Sequence, residues 1–318
     1  MTAPAQGMCD PDVTELDAAG WQALAAGLDR LPLQQSWAYG EAVARFGARP
    51  TRLAFHAQGR PVALAQVMQR RLFGLVTLAT AFRGPLWLDA EPDRAMQVAV
   101  LRRLTQGYRR WRWRFFVIMP EAAAGGHAQA LMRAAGMRRV MTGFSTVWVD
   151  LAADEDALRA GLAGKWRNQL ARAEQADVEV AVGGARPRQY GWLLEQEEAQ
   201  RRAVGYQAVP AELVPAYAEV AGSGSVLALT AHRRQVKLAG VLILIHGDSA
   251  TYQIGWNGAE GRRIYAHNLL LWRALGELKQ RGVRWLDLGG LDTAGMAGIA
   301  RFKLGLGHPP VTLPGAYL

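Results

Sequence analysis

The chain has 318 residues, half of them apolar, so it is long enough for two domains that each bury a core. Its formal net charge of +10 and its pI of about 10.2 favour polyanionic partners such as RNA, nucleotide diphosphates or an anionic membrane surface. The one cysteine, Cys9, excludes an internal disulfide and a metal site of the CxxC type.

The apolar runs and the first residues indicate the compartment. Residues 1–10 lack the basic and apolar regions of a signal peptide. The longest apolar runs, residues 72–82 and 238–245, are too short to span a bilayer. We therefore expect a cytoplasmic protein whose basic surface allows peripheral contact with the inner membrane.

The first part of the chain predicts two helices and then strands. Thr14 is the expected N-cap of a helix that ends near residue 30, and residues 33–46 predict a second helix. From residue 52 the pattern changes to strand, turn and strand, with the strands at residues 53–57 and 61–67. A third strand ending near a glycine, a helix over residues 95–109 and a strand over residues 115–119 follow.

This pattern occurs twice. Residues 53–68 and 227–242 share eight identical positions without a gap, at a displacement of 174 residues (227 − 53). The same displacement superimposes Gly84 on Gly258 and Trp111 on Trp285. The repeat predicts two copies of one domain, at residues 1–147 and 148–318, each with a mixed, largely antiparallel sheet and helices, an α/β (α+β) fold.

The second half begins with a predicted strand over residues 146–151 and a helix over residues 157–175. On that helix Lys165, Asn168 and Arg172 fall on one face by steps of three and four residues. Together with Arg167 they predict contacts with phosphate groups or with tRNA, and a merely solvated basic face is the alternative. A further helix is predicted over residues 190–204.

The C-terminal part contains the strongest candidate for a site. Residues 285–288 read as a short apolar strand that ends at Gly289 and Gly290, and a second strand carrying Lys303 follows. Glycines let the backbone approach a ligand closely, and a lysine beside an aromatic residue can be held partly buried there. A tight turn with a solvated lysine is the alternative interpretation.

Five motifs in the same order resemble the Fem family of acyltransferases. They are Gln-Ser-Trp at 35–37, Arg-Gly-Pro at 83–85, Lys-Trp-Arg-Asn-Gln-Leu-Ala-Arg-Ala at 165–173, Asp-Leu-Gly-Gly at 287–290 and Phe-Lys-Leu-Gly-Leu-Gly at 302–307. The resemblance implies tandem domains of the N-acetyltransferase (GNAT) superfold. It also implies transfer of an amino acid from aminoacyl-tRNA to an amine of a peptidoglycan precursor. The chain has no room for the coiled-coil arm of some Fem enzymes, so it resembles the armless branch.

The resemblance also implies roles for particular residues. Lys303 is expected to stabilise the developing oxyanion, and Asp287 or Asp292 to position the amine or accept its proton, although aspartates also cap turns. Residues expected to contact substrate are Phe302, Gly289, Gly290, Arg202, Tyr206, Trp37, Tyr252, Trp256 and Arg83. Arg202 and Tyr206 lie where the family binds the nucleotide diphosphate of the precursor. No metal and no cofactor are expected, because the acyl donor is a co-substrate.

Other functions stay open. One alternative is an N-acyltransferase that uses acyl-CoA or an acyl carrier and acts on an amino sugar or another small amine in envelope polysaccharide assembly. Residues 260–266 lack the central glycine of a pyrophosphate-binding loop, which disfavours CoA. Another alternative is a non-catalytic protein that binds RNA or an envelope precursor.

The chain departs from the family in two places. Where some members have an acidic residue before a proline it has Ile118-Met119-Pro120, and Gly40-Glu41 follows Trp37 in place of a lysine. The general base, the acyl group, the acceptor and the oligomeric state therefore stay open.

Overall fold

The computed structural model describes residues 10–204, 211–291 and 297–318. Their first part contains β1 (Asp12–Glu15), α1 (Ala18–Ala25), α2 (Trp37–Ala44), β2 (Arg49–Ala57), β3 (Arg60–Leu72), β4 (Val76–Phe82), β5 (Leu86–Trp87), α3 (Arg94–Thr105), β6 (Arg114–Met119), α4 (Gly126–Ala134) and β7 (Arg139–Met141). The remainder contains β8 (Ser145–Asp150), α5 (Glu155–Gly161), α6 (Gly164–Glu174), β9 (Glu179–Gly183), α7 (Gly191–Val204), α8 (Leu213–Ala221), β10 (Val226–Arg233), β11 (Val236–His246), β12 (Ser249–Asn257), α9 (Ala259–Arg263), α10 (Ala266–Gln280), β13 (Trp285–Asp287), α11 (Ala297–Leu304), β14 (Pro310–Thr312) and β15 (Ala316–Tyr317).

The described residues form two compact units. The first comprises residues 10–29, 34–144 and 312–318, and the second comprises residues 30–33 and the described part of 145–311. The predicted division after residue 147 differs from this arrangement, because the last residues of the chain belong to the first unit. The physical reason is pairing: β15 lies between β6 and β7 and is antiparallel to both.

The two units contain sheets of the same design. In the first unit the strand order is β1-β2-β3-β4-β6-β15-β7, with β5 paired to β3. In the second it is β14-β8-β13-β12-β11-β10-β9. In both, three consecutive strands pair antiparallel and the third then pairs in parallel with the strand that follows a helix. The predicted duplication of a mixed, largely antiparallel sheet is therefore confirmed at the level of topology.

The insertion-free register of the repeat ends after the third strand. Leu53 and Leu227 lie on the equivalent strands β2 and β10. Trp111, in contrast, lies in a 3-10 turn over residues 110–112, whereas Trp285 is the first residue of β13. The predicted equivalence of these two tryptophans is wrong, because the connection from helix to strand differs between the copies.

Three predicted elements need correction. Thr14 lies in β1, and Asp17 caps the first helix by accepting from the Gly20 amide at 2.8 Å. The helix predicted over residues 157–175 is two helices, since Leu162 and Ala163 are extended and the Ala163 amide donates to the Gly305 carbonyl at 2.9 Å. Lys303 lies on the helix α11 and not on a strand.

The core of the second unit fixes the elements around the candidate site. Buried apolar residues of β10, β11 and β13 pack against α6 and α10, with Leu170, Leu270 and Leu286 fully buried among them. On α10 the buried residues recur at helical spacing, so one face of this helix covers the sheet. Within the described residues, no helix has the length and apolar character needed to cross a membrane.

Candidate active site

Lys303 is a buried lysine on α11. Only 8% of its surface is exposed, and its Nζ donates a hydrogen bond to the Gly290 carbonyl at 2.8 Å. An ammonium group has three donors. Among the described residues, this carbonyl takes one of them, so the geometry leaves donor capacity for a ligand.

The turn that follows β13 is held by Asp287. This fully buried carboxylate accepts from the Gly289 amide at 2.8 Å and from the Thr146 hydroxyl of β8. Gly289 has φ +70°, in the left-handed region that glycine adopts without strain. A Cβ on Gly289 would lie 3.9 Å from Lys303 Nζ. Asp287 therefore shapes the backbone under the lysine, which is the turn-capping role named as its alternative.

Burial and the carboxylate act on the lysine in opposite directions. Loss of solvent lowers the pKa of Lys303 to about 8, while the negative charge of Asp287 raises it. At neutral pH the ammonium form still dominates. The site therefore holds a cation that is poorly hydrated and can release its proton just above neutrality.

Tyr252 and His267 form the floor below the ammonium group. Lys303 Nζ lies 5.6 Å from the centre of the Tyr252 ring, and the Tyr252 hydroxyl is 2.8 Å from His267 Nε2. Burial lowers the pKa of His267 to about 4, so the imidazole is neutral at pH 7, and burial raises the pKa of Tyr252. A Cβ on Gly255 would lie 1.7 Å from the Tyr252 hydroxyl, so glycine at this position makes room for the pair.

Phe302 joins the helix of Lys303 to α6. Its ring lies 5.9 Å from the Trp166 ring and 5.2 Å from the His267 ring, measured between centroids. A Cβ on Gly305 would lie 2.4 Å from Trp166, so the two helices approach closely here. The Phe-Lys pair thus serves two purposes: the aromatic residue fixes the helix and the lysine faces the turn.

The three basic residues predicted on α6 are exposed. Lys165 and Arg167 flank the buried Trp166, whose ring packs on Phe302 beside Lys303. Arg172 lies in the last turn of the same helix. Lys165 and Arg167 therefore lie on the surface next to the candidate site.

Other predicted site residues have partners within the protein or lie outside the described residues. Trp256 packs edge-to-face on Trp192 with 5.7 Å between ring centres. Arg202 pairs with Glu198 at 2.9 Å on α7. Tyr206 and Asp292 lie outside the described residues.

Trp37 and Arg83 belong to the first unit, where both take part in structural contacts. The guanidinium of Arg52 stacks 3.7 Å from the centre of the Trp37 ring. Arg83 is 3% exposed, and its guanidinium forms a two-pronged ion pair with Glu121 at 2.5 and 2.8 Å. These contacts give both residues a structural role within the first unit.

Sequence reasoning missed the residues that support the lysine. His267 is one of six histidines that show no spacing typical of a site. Thr146 and Gly255 lie far from Lys303 in the chain and reach its surroundings only through the sheet. Tyr252 is predicted from the sequence, but its partner His267 is not, because the two residues lie on different elements.

The described residues offer no metal site: no three histidine, cysteine, aspartate or glutamate side chains gather there in a way that could hold an ion. The chemistry available from these residues is that of a buried cation, a shaped backbone turn and a neutral Tyr-His pair.

A model of a known protein family matches the part of the chain that contains this site. Residues 158–304, which include Lys303, match the family model of the acetyltransferase (GNAT) domain. A comparison with curated protein sequences found no match.

Solved structures share the fold over nearly the whole chain. The crystal structure of FemX is similar with a TM-score of 0.79 and 13% identity, over 96% of each chain. A tandem GNAT protein from the clavulanic acid biosynthesis pathway has a TM-score of 0.55 and 13% identity, over 96% of this chain and 97% of that one. The structure of L-PGS from Bacillus licheniformis has a TM-score of 0.52 and 12% identity, over 95% and 90%.

At these identities the likeness concerns the fold, and it supports the resemblance drawn from the motifs. The chain has the tandem GNAT fold that FemX also has, and its second copy, which matches the acetyltransferase domain, holds the buried Lys303.

Proposed function

We propose that the protein is an N-acyltransferase that moves an aminoacyl group from aminoacyl-tRNA to an amine of a cell-wall precursor. The observation that carries the proposal is the environment of Lys303: a buried ammonium group that donates to a backbone carbonyl and keeps donor capacity for a ligand. The motifs around it and the similarity to FemX support the choice of this acyl transfer.

The reaction needs an oxyanion stabiliser more than a protein nucleophile. The amine of the acceptor attacks the ester carbonyl carbon, a C–N bond forms, and the carbonyl oxygen becomes an oxyanion. The ammonium of Lys303 donates to that oxygen. The C–O bond to the ribose then breaks, and the leaving hydroxyl takes up a proton while the amine nitrogen loses one. A preorganised donor of this kind contributes about 3–4 kcal/mol to the barrier reduction.

Asp287 serves this reaction as a positioning residue. Its carboxylate is engaged by the Gly289 amide and the Thr146 hydroxyl, so it fixes the turn that receives Lys303. Its charge also opposes the effect of burial and keeps the lysine protonated at neutral pH. No residue is assigned as the general base.

The backbone between β12 and α10 disfavours CoA as the donor. A pyrophosphate needs free amide groups at the start of a helix. Here residues 260–266 lack the central glycine that lets the backbone of such a loop approach a pyrophosphate. The exposed cations on α6 and the basic pI instead favour a polyanionic donor such as tRNA.

A CoA-dependent N-acyltransferase acting on an amino sugar or another small amine is the second candidate. It is favoured by the match of residues 158–304 to the acetyltransferase domain. The two candidates share the fold and Lys303, and they differ in the donor that the protein binds.

The test is a transfer assay with charged tRNAs, acyl-CoAs and a nucleotide-linked peptidoglycan precursor. We expect transfer from charged tRNA, and a decrease of about 100- to 1,000-fold in Lys303→Met. Lys237→Met is the matched control, since Lys237 is exposed on β11, and it should transfer like the wild type. Full activity in Lys303→Met would refute the role of the lysine, and transfer from acyl-CoA alone would establish the second candidate.

The pH dependence of the rate separates two roles of the lysine. If the ammonium form stabilises the oxyanion, the rate falls as the pH rises through about 8, where Lys303 loses its proton. Because the acceptor amine must also be deprotonated, a rate that rises through the same range assigns the role of base to neutral Lys303 only if the rise is absent in Lys303→Met.

A further inference from the structure

The turn between β3 and β4 exposes large apolar side chains. Phe73 is 96% exposed, Leu75 is 81% exposed and Leu72 is 42% exposed. Side chains of this kind occur singly on ordinary surfaces, whereas a group of them marks an interaction surface.

A second exposed pair lies beside this turn. Trp111 and Trp113 are 73% and 63% exposed. The Thr77 amide donates to the Trp113 carbonyl at 2.9 Å, and Thr77 is also the partner of Arg114 in the parallel pair β4/β6. The 3-10 turn therefore lies at the same end of the sheet as the β3/β4 turn. We call Leu72, Phe73, Leu75, Trp111 and Trp113 the apolar tip.

The geometry of the β3/β4 turn does not require an aromatic residue. Phe73 and Gly74 have φ values of +52° and +70°. Asparagine, aspartate and glycine are the residues that such turns prefer, and a phenylalanine there is unfavourable for the backbone. The corresponding turn of the second unit, between β11 and β12, carries Gly247 and Asp248. The backbone of the turn therefore gives no reason for a phenylalanine at position 73.

The charge around the apolar tip is of one sign. Residues 70–77 and 105–116 contain six arginines and no aspartate or glutamate. The guanidinium of Arg112 lies 4.4 Å from the centre of the Trp111 ring, and that of Arg114 lies 5.4 Å from the Tyr108 ring. Exposed aromatic rings with arginines beside them fit the boundary between lipid head groups and acyl chains.

A cavity next to the apolar tip is likewise lined by arginines and an aromatic ring. Its volume is about 320 Å³, and its lining includes Arg102, Arg109, Arg114 and Tyr108. Three guanidinium groups with a phenol match the phosphate of a head group, since arginine recognises phosphate with two parallel donors.

We propose that the apolar tip docks on the surface of a bilayer that contains anionic phospholipids. Phe73, Leu75, Trp111 and Trp113 enter the interfacial layer, and the neighbouring arginines contact lipid phosphates. This surface belongs to the first unit and shares no residue with the site of Lys303, so the proposal does not depend on the proposed function.

The experiment is flotation of the purified full chain with vesicles. Vesicles of phosphatidylcholine with phosphatidylglycerol should carry the protein, and vesicles of phosphatidylcholine alone should carry far less. Phe73→Ser/Leu75→Ser should lower the partition coefficient at least about tenfold, because binding scales with the apolar area that enters the interface. Arg109→Gln/Arg112→Gln should lower it by a similar factor, since each cation near an anionic leaflet contributes about fivefold.

Two controls isolate the tip. Val236→Ser removes an apolar side chain that is 63% exposed on the β10/β11 hairpin, and Arg188→Gln removes a cation that is exposed outside the tip. Both should float like the wild type. Because every mutated side chain is exposed, the thermal midpoint should stay unchanged in all variants.

A fluorescence measurement gives an independent readout. Brominated phosphatidylglycerol should quench the emission of the wild type upon binding, and the quenching should fall in Trp111→Phe/Trp113→Phe. Three outcomes would overturn the proposal: no flotation with anionic vesicles, equal flotation of the Phe73→Ser/Leu75→Ser variant, or loss of self-association or of RNA binding in that variant without any effect on flotation.

Discussion

The two units contain sheets of the same design, but the equivalent strands β6 and β13 end in different surroundings. In the first unit β6 ends at Met119, and nearby Glu121 neutralises the buried Arg83 with two hydrogen bonds. In the second unit β13 ends at Asp287, and the buried Lys303 donates to the Gly290 carbonyl.

The difference lies in how each buried cation is compensated. A guanidinium held by a carboxylate at 2.5 Å has its charge neutralised within the fold and has a structural role. The ammonium of Lys303 donates to a carbonyl, and burial lowers its pKa more than the charge of Asp287 raises it, so it can respond to a substrate. Under the proposed function, the duplicated fold keeps one strand end for stability and uses the other for chemistry.

The largest expected effect comes from breaking the ion pair of the first unit. Arg83→Met leaves Glu121 without its main partner, and we expect the free energy of unfolding to fall by about 3–5 kcal/mol. Lys303→Met, which removes a poorly hydrated charge, should leave stability unchanged or raise it. Urea denaturation of both variants at neutral pH measures the contrast. Equal losses in the two variants would contradict the structural distinction between the two cations.

The pH dependence of stability sharpens the contrast further. The pKa of Lys303 is about 8 in the folded state, below its ordinary value of 10.5. Between these values the unfolded chain binds more protons, so the free energy of unfolding contributed by this group rises with pH. Relative to Lys303→Met, the wild type should gain up to about 3 kcal/mol between pH 8 and 10.5. A flat difference across this range would show that the lysine is not desolvated.

Substitution of Gly255 tests how tightly Tyr252 and His267 are packed below Lys303. An alanine Cβ would lie 1.7 Å from the Tyr252 hydroxyl, so Gly255→Ala should push the ring away and cost about 1–3 kcal/mol in stability. Gly276→Ala on α10 is the control, because a Cβ there meets nothing within 4 Å. That variant should be stabilised by about 0.5–1 kcal/mol. Thermal unfolding distinguishes the two, and a neutral Gly255→Ala would mean that Tyr252 moves freely.

The smallest effect on stability is expected at Asp287, which holds the turn after β13. Asp287→Asn keeps an oxygen that can accept from the Gly289 amide and loses the negative charge, so the stability cost should be about 1 kcal/mol. Since Asp287 raises the pKa of Lys303, this variant should shift the rise of stability with pH to lower values. The pH series described for Lys303 measures the shift, and an unchanged midpoint would show that the carboxylate does not act on the lysine.

The sequence predicted the parts of the site that lie close together in the chain. The Asp-Leu-Gly-Gly turn and the Phe-Lys pair are separated by a short connection, and the structure brings Gly290 and Lys303 into contact. The repeat predicted the duplicated sheet because strand hairpins preserve their spacing. The strand predicted around Lys303 is a helix in the structure, although Phe302, Leu304 and Leu306 occupy alternate positions, a pattern also found in strands.

The remaining parts depend on contacts that the sequence does not display. The pairing of Tyr252 with His267 links a strand to the start of a helix, and the hydrogen bond from Thr146 to Asp287 crosses from β8 to β13. Arg83 and Trp37 were predicted as substrate contacts, and only the structure shows the partners Glu121 and Arg52. Motif similarity identifies conspicuous residues without distinguishing a ligand contact from a structural one.

The position of β15 in the first sheet has a consequence for biosynthesis. The ribosome makes β6 and β7 long before residues 316–317, which pair with both of these strands. Until then each strand presents an open edge, which is prone to pairing with other chains. The first unit therefore cannot complete its sheet until residues 316–317 have been translated. Deleting the last strand should accordingly harm the half of the molecule that is made first.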